Sequence, residues 1–520
     1  MLSEARFGFS LVSALTDPLT IEDSRQMIKR CLAERTDNFL SLCNSLIFAN
    51  NSSPYKPLLL RAGYSSDRLE RLVRSEGLES ALSSLAADGV YLEIKEFKGQ
   101  KPVKRPGLEM TFDASATDIA SAPSIPLKSS GSSGPRMVTR IGIAGLRMLS
   151  SYMPVMMEGL GARHLPVVLY YPMPSVAGVL HLIIFTLSGF IPAAWFSQCP
   201  SLTAHRALPL LQLSALLAAA SLRGLQLPFP RIAEIRHPAE LARWISKNCP
   251  EGAVVPTFPG SALHLLQSAL SESIKLPRLI FILGGEPLTE RKRRFFMDAG
   301  HDVYPWYSSV ETGRVALGCF RSSLPDDMHI LKDRVACIKQ LQGTHSSGSS
   351  NALLITSVHP DSYKFLLNVE TGDEAVIGER RCGCLWEEYG LTTHISTVRS
   401  YEKLTLEGMT FMTGDIFNLV EETLPARCGG TPADYQLAEE EDTAGLTRLI
   451  VSVNPRISVH EEEVRAAVHD YFREAYIKRA PMTDILTRSS AVVVRQEFPD
   501  LTCSGKILTL RHAKKEKNRG

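Results

Sequence analysis

Between Val138 and Leu331, short apolar runs alternate with patterns of helical length, and no other feature constrains the chain as strongly. Strands separated by helices pair in parallel through crossovers, so the alternation predicts a mostly parallel α/β core. One such unit runs as a strand over Val167–Tyr171, a helix over Val176–Phe190 and a strand over Ala193–Phe196. It contains Ala177–Phe196, a stretch without fixed charge that is long enough to span a bilayer. His181, Pro192 and the Pro172-Met173-Pro174 turn favour the other reading, a strand–helix–strand buried on all sides. A further run, Leu279–Leu283, is rich in β-branched and aromatic residues and stops at Gly284-Gly285-Glu286. Ligands of open α/β sheets sit beyond the carboxyl ends of strands, which puts Gly284 to Glu286 at a site mouth; the plain alternative is a strand-to-helix turn. After it, Thr289 to Arg294 opens a charged helix face that reads as solvated.

The rest of the chain divides simply. Residues 1–50 read as helical, and Leu208–Leu222 reads as a helix too apolar to be exposed. Pro238–Lys247 and Val459–Glu474 read as further helices. From about Arg399 the character becomes charged and mixed α+β, as in a small separate domain. At 520 residues and 44% hydrophobic the chain buries a large core and forms at least two domains. A net charge of +2 gives no general attraction to nucleic acid or anionic membrane. Ten scattered cysteines without a secretory leader fit a reducing cytoplasm. Cys382-Gly383-Cys384, taken together with Cys428, forms a zinc candidate that lacks a second spaced pair.

Three segments and a tail suggest chemistry. Ser129-Ser130-Gly131-Ser132-Ser133-Gly134 can turn backbone N–H groups around an anion, though Ser-Gly runs also make plain linkers. Gly284-Gly285-Glu286 is the second segment. In the third, Tyr304-Pro305-Trp306-Tyr307-Ser308-Ser309-Val310-Glu311, an aromatic ring precedes small residues and a carboxylate. That order suits stacking of a base and holding of a divalent cation against phosphate. Gly505-Lys506, near the C-terminus, is a point charge on a long arm beside a free backbone.

In this order the segments resemble the acyl-adenylate-forming (AMP-binding) ligases, in particular their phenylacetate–CoA ligase-like branch. The family's Ser/Thr/Gly phosphate loop matches Ser129 to Gly134, and its Gly-Gly-Glu-Pro-Leu matches Gly284 to Leu288. Its Tyr-Gly-x-Ser/Thr-Glu is similar to Tyr307 to Glu311, and its Thr-Gly-Asp to Thr371-Gly372-Asp373. A hinge arginine is matched by Arg399, followed by Glu402 and Gly408, and the C-terminal Gly-Lys by Gly505-Lys506.

The resemblance implies a large domain over residues 1–398, with mostly parallel sheets flanked by helices, and a small mobile α+β domain over 399–520. It implies ATP, Mg2+ and coenzyme A as cofactors and a carboxylic acid as substrate, the acid being activated as acyl-AMP with release of pyrophosphate. It further implies that Ser129 to Gly134 hold phosphates, that Tyr307 stacks on adenine and that Ser308 and Gly284 to Glu286 line its pocket. Glu311 would hold magnesium, Asp373 the ribose, Arg399 the hinge, and Lys506 would be the catalytic lysine. Pro256 to Gly260 and the following helix start would fall where the family builds its acyl pocket.

The departures are Val310 for a hydroxyl residue, Ser308 for a glycine, Pro135-Arg136 after the loop, and Tyr401 where an acid is common. Thr413-Gly414-Asp415 competes with Asp373, which the family order favours because it precedes Arg399. Two alternatives stay open: transfer of the acyl group to a carrier-protein thiol or an amine, and a degenerate, non-catalytic acyl or nucleotide binder.

Overall fold

The computed structural model describes residues 2–119, 124–128, 138–173, 176–198, 207–234, 237–309, 311–339, 352–400, 403–406, 409–443, 445–475, 490–499 and 510–511. The N-terminal hundred residues are helical up to a small hairpin of β1 (Val103–Arg105) and β2 (Leu108–Met110). A second antiparallel pair, β3 (Ser124–Lys128) and β4 (Val138–Gly142), follows.

Next come three parallel strands, β5 (Val168–Tyr170), β6 (Ala194–Ser197) and β7 (Pro230–Ile232), each pair connected through a helix. The helix Val176–Leu187 joins β5 to β6, so the uncharged stretch from Ala177 is helix and then strand. Among the described residues no helix is long and apolar enough to cross a membrane.

A nine-stranded mixed sheet dominates the molecule. Its strands are β8 (Ala253–Thr257), β9 (Leu279–Leu283), β10 (Asp302–Ser309), β11 (Gly313–Gly318), β12 (Met328–Ile330), β13 (Val335–Lys339), β14 (Ala352–Ser357), β15 (Val369–Glu379) and β16 (Thr393–Ser400). Their order is β13-β14-β15-β16-β12-β11-β10-β9-β8. β8, β9 and β10 pair in parallel, and from β10 to β11 the sheet turns antiparallel.

Continuous apolarity in the parallel strands has a direct cause. In β9, Leu279, Phe281 and Leu283 enter one core while Ile280 and Ile282 enter the opposite one. Successive side chains point to opposite faces, and here both faces are covered. In β6 likewise, Trp195 packs on one side and Ala194 and Phe196 on the other.

Beyond the small hairpin of β17 (Lys403–Leu406) and β18 (Met409–Met412) lies a four-stranded sheet. It is built from β19 (Tyr435–Glu441), β20 (Thr447–Val453), β21 (Val492–Gln496) and β22 (Leu510–Arg511). The helix Glu461–Ala475 packs on it, and together they bury a core of their own, including Leu437, Val451, Val468 and Phe472. The molecule is thus an α/β protein with a large sheet-and-helix body and a small C-terminal α+β unit.

Two expectations fail. The helix Ala207–Ser221 is not fully buried: Leu213 and Ala220 are covered but Leu211 is 66% exposed. The side turned outwards carries Gln212, Ser214, Ala215, Ala218 and Ser221 besides Leu211, so only one seam is covered. The charged helix Glu290–Asp298 is not merely solvated either, because Lys292 is buried. Its Nζ donates to Thr447 Oγ1 at 2.8 Å and lies 3.4 Å from Glu441 Oε1. It thereby ties the segment after β9 to the β19–β20 hairpin.

Candidate functional site

The glycines after β9 answer to close packing. A Cβ on Gly284 would lie 1.8 Å from Trp306 Nε1, and one on Gly285, which has a φ of +82°, would lie 3.0 Å from the Phe258 ring. No other residue type fits either position. Glu286 Oε2 then accepts from the backbone N–H of Gly260 at 3.0 Å, in the first turn of the helix Pro259–Ser271. A carboxylate there complements the partial positive charge of the helix end and fastens the β9 loop to the β8 loop.

Trp306 is the centre of a stack that sequence reasoning missed. His181 lies 5.0 Å from it with rings 21° apart, and Tyr171 lies 4.4 Å beyond His181. The guanidinium of Arg314 covers the tryptophan at 3.9 Å, and Phe258 meets Tyr171 edge-on. Arg314 is buried, and burial, then the nearby Arg334 charge, pushes it down to about 9, so it remains a cation at neutral pH. Burial, then the same Arg314 charge, pushes His181 down to about 3 and keeps its imidazole neutral. His181 was visible in sequence only as a polar residue inside an uncharged run.

On the other face of β10, Tyr307 donates its hydroxyl to Asp373 Oδ2 at 2.7 Å. Burial, then the Asp373 charge, raises the phenol well above its ordinary value, so it acts as a donor. Asp373 is buried in β15 directly after Gly372, whose φ is +76°, and its main chain pairs with Ser400. Beside it Glu374 pairs with Arg399, and Arg399 Nη1 donates to Asp326 Oδ2 at 2.9 Å. The same carboxylate accepts from the N–H groups of Thr397 and Val398.

Thr397 has a φ of +52°, in the left-handed region that β-branched residues avoid. It lies where the β15–β16 register shifts, opposite Ala375, so β16 is bulged two residues before Arg399.

The turn from β10 to β11 is closed by Ser309, whose Oγ contacts Thr312 Oγ1 at 2.8 Å and accepts from the Thr312 N–H. Glu311 sits half-buried at its tip. Ser308 pairs with Arg314 across the strands.

The structure therefore brings Tyr307 to Asp373, Asp373 to the neighbourhood of Arg399, and Gly284 to Glu286 beside Trp306 on the adjoining strand. Thr413 begins a helix, Thr413–Asn418, whereas Asp373 lies in a strand. Ser129 to Gly134, Val310, Tyr401, Glu402 and Lys506 lie outside the described residues. Cys428 does not join Cys382 and Cys384: it ends a helix of the C-terminal unit and packs on that core.

No protein-family model and no curated protein matches the chain. Among solved structures it is similar to a 2-hydroxyisobutyryl-CoA ligase in complex with 2-HIB-AMP and CoA, in the thioesterification state. The TM-score is 0.55 at 16% identity, covering 92% of this chain and 89% of that one. ATP-bound MatB from Rhodopseudomonas palustris aligns over 92% of this chain and 91% of its own, with a TM-score of 0.34 at 13% identity, too low to carry weight. The first likeness is one of architecture: the chain shares the fold of that CoA ligase.

Proposed function

We propose that the chain activates a carboxylic acid with ATP and transfers the acyl group to the thiol of coenzyme A. A carboxylate oxygen attacks the α-phosphorus, the bond to the β-phosphate oxygen breaks, and pyrophosphate leaves. The thiol sulfur then attacks the acyl carbon, AMP departs with the shared oxygen, and the thiol proton passes to solvent.

The observation that carries this reading is the Tyr307–Asp373 pair, set beside the glycine-lined end of β9 within this fold. A carboxylate accepts from both hydroxyls of a ribose, and a ring held by its own hydroxyl presents a fixed face to adenine. Gly284 to Glu286 and Ser308 would border the base, and Ser129 to Gly134 would receive the β- and γ-phosphates. The aromatic cluster next to Gly284 supplies apolar surface for the acyl chain.

Glu311, half-buried and without a hydrogen bond to any described side chain, offers a hard-oxygen ligand suited to magnesium. Magnesium there would neutralise phosphate charge. Lys506 would bridge carboxylate and α-phosphate, and the small unit, taken as residues 399–520, would turn about Arg399 between the two half-reactions. Such chemistry needs charge neutralised in the transition state more than it needs a proton moved.

The test is a screen of acids for acid-dependent pyrophosphate release, run with and without coenzyme A. Release with thioester formation supports the reading. Release without a thioester points to a carrier-protein or amine acceptor, and no release with any acid removes the catalytic reading.

A further inference from the structure

Cys319, His329, Cys382 and Cys384 converge on one point, with one ligand atom from each lying within 4.8 Å of all the others. We propose that these four side chains bind a structural zinc ion, which clips the β15–β16 connection to the ends of β11 and β12.

The distances suit the metal. Tetrahedral zinc with ordinary Zn–S and Zn–N bonds separates its ligand atoms by about 3.6–3.8 Å. His329 Nε2 lies 3.6 Å from Cys382 Sγ and 3.2 Å from Cys384 Sγ. All three cysteines are free thiols, although they lie side by side.

The histidine is already oriented for the task. Its Nδ1 lies 2.6 Å from the carbonyl oxygen of Leu391, which can only accept, so Nδ1 carries the proton. The Nε2 lone pair is therefore turned towards the sulfurs, the usual arrangement of a metal-bound imidazole. His329 is fully buried, so no water competes for that lone pair.

Charge is balanced as well. Zinc displaces the three thiol protons and leaves one net negative charge on the cluster. Arg380 Nη2 lies 3.4 Å from Cys319 Sγ, and the backbone N–H of Arg321 donates to the same sulfur at 3.3 Å. A second group, Cys319 with Asp327 and His394, is the weaker candidate. Asp327 already binds Arg380 and accepts from His394 Nδ1, so these residues support the thiolate cluster from outside.

The position explains what the ion does. Cys319 follows β11, His329 lies in β12, and Cys382 and Cys384 lie between β15 and β16. β16, β12 and β11 are neighbours in the sheet, and β11 turns back into β10. Four protein ligands leave no open position, so the metal is a staple and takes no part in chemistry. Gly383, with a φ of +69°, lets the two cysteines on either side face the same way.

The test uses the full-length chain, made in zinc-supplemented medium and purified without chelator. One zinc per chain should survive gel filtration, and removing it should lower the melting temperature. Cobalt replacement should give thiolate-to-metal charge transfer and intense tetrahedral d–d bands. Cys382→Ser, at the half-buried ligand, should keep the fold and lower the charge-transfer intensity by about a third, from three thiolates to two. A zinc-free chain whose melting temperature and thiol reactivity do not respond to added Zn2+ would overturn the proposal. So would a cobalt spectrum indifferent to both Cys382→Ser and His329→Gln.

Discussion

Tyr307 and Asp373 are joined by a 2.7 Å hydrogen bond although β11, β12 and β16 lie between their strands in the sheet. The sheet must curl to allow this. Tyr307→Phe removes one donor to a buried carboxylate, at a cost of about 1–3 kcal/mol in unfolding free energy. Asp373→Asn should raise the KM for ATP more than it lowers kcat, because a ribose contact is made in ground and transition states alike. Steady-state kinetics at varied ATP, with urea melts, check both. An unchanged KM in Asp373→Asn would move the ribose site elsewhere.

Gly284→Ala tests whether the glycine serves packing. The added methyl would meet the indole of Trp306, itself held between His181 and Arg314. Overpacking of this kind costs about 1–3 kcal/mol, and the melting temperature should fall accordingly. The double variant Gly284→Ala/Trp306→Leu should recover part of the loss, since the clash goes when the ring goes.

How far the sequence spoke depends on the range of the interaction. β5, its helix and β6 were readable from local periodicity, as was the strand ending at Gly284. The resemblance names Tyr307 and Asp373 separately, and nothing in the sequence links the two, since no local signal reaches across the three strands between them. Lys292 looked like one member of a solvated run because its partner Thr447 is distant in sequence. Cys319 and His329 give no local signal for the same reason, so the sequence offers only Cys428 beside the Cys-x-Cys pair, and the structure replaces it. The exposure of the helix Ala207–Ser221 was misjudged because composition reports apolarity and not which seam finds a neighbour.

Thr397 should tolerate glycine. Its φ of +52° costs a β-branched residue strain that glycine does not feel. Thr397→Gly should therefore leave stability unchanged or raise it by up to about 1 kcal/mol, against the loss that glycine brings to an ordinary strand. Asp326→Ala should act in the opposite sense, because it frees Arg399 and two backbone N–H groups at once. If the bulge is the pivot of the small unit, Asp326→Ala also changes the ratio of pyrophosphate release to thioester formation. Equal loss of both would confine Asp326 to stability.

Acid should loosen the C-terminal unit through Asp434. Its carboxylate accepts from Arg456, from Asn454 and from the hydroxyl and N–H of Thr431. The Arg456 hydrogen bond, first among these, holds it down to about 2. An unfolded aspartate titrates near 3.9, so the folded form releases its proton more readily. The contribution is thus whole above about pH 4 and drains away as the pH falls towards 2. Asp434→Asn should cost about 1–3 kcal/mol at neutral pH and flatten the acid limb of a stability–pH curve. A variant whose acid limb matches wild type would remove Asp434 from the account.

Lys506→Ala separates the two half-reactions. If the ammonium works only where charge builds between carboxylate and α-phosphate, its loss should slow acid-dependent pyrophosphate release by about 10²–10³-fold. Thioester formation from synthetic acyl-AMP and coenzyme A involves no such charge, so it should persist near the wild-type rate. Lys292→Met is a comparison: that lysine joins the large body to Thr447 and Glu441 of the small unit, so its loss should lower the melting temperature and, if the unit turns, shift the balance of the two half-reactions without abolishing either. Parallel loss of both half-reactions in Lys506→Ala would make that lysine structural, and the turning of the small unit would lose its chemical reason.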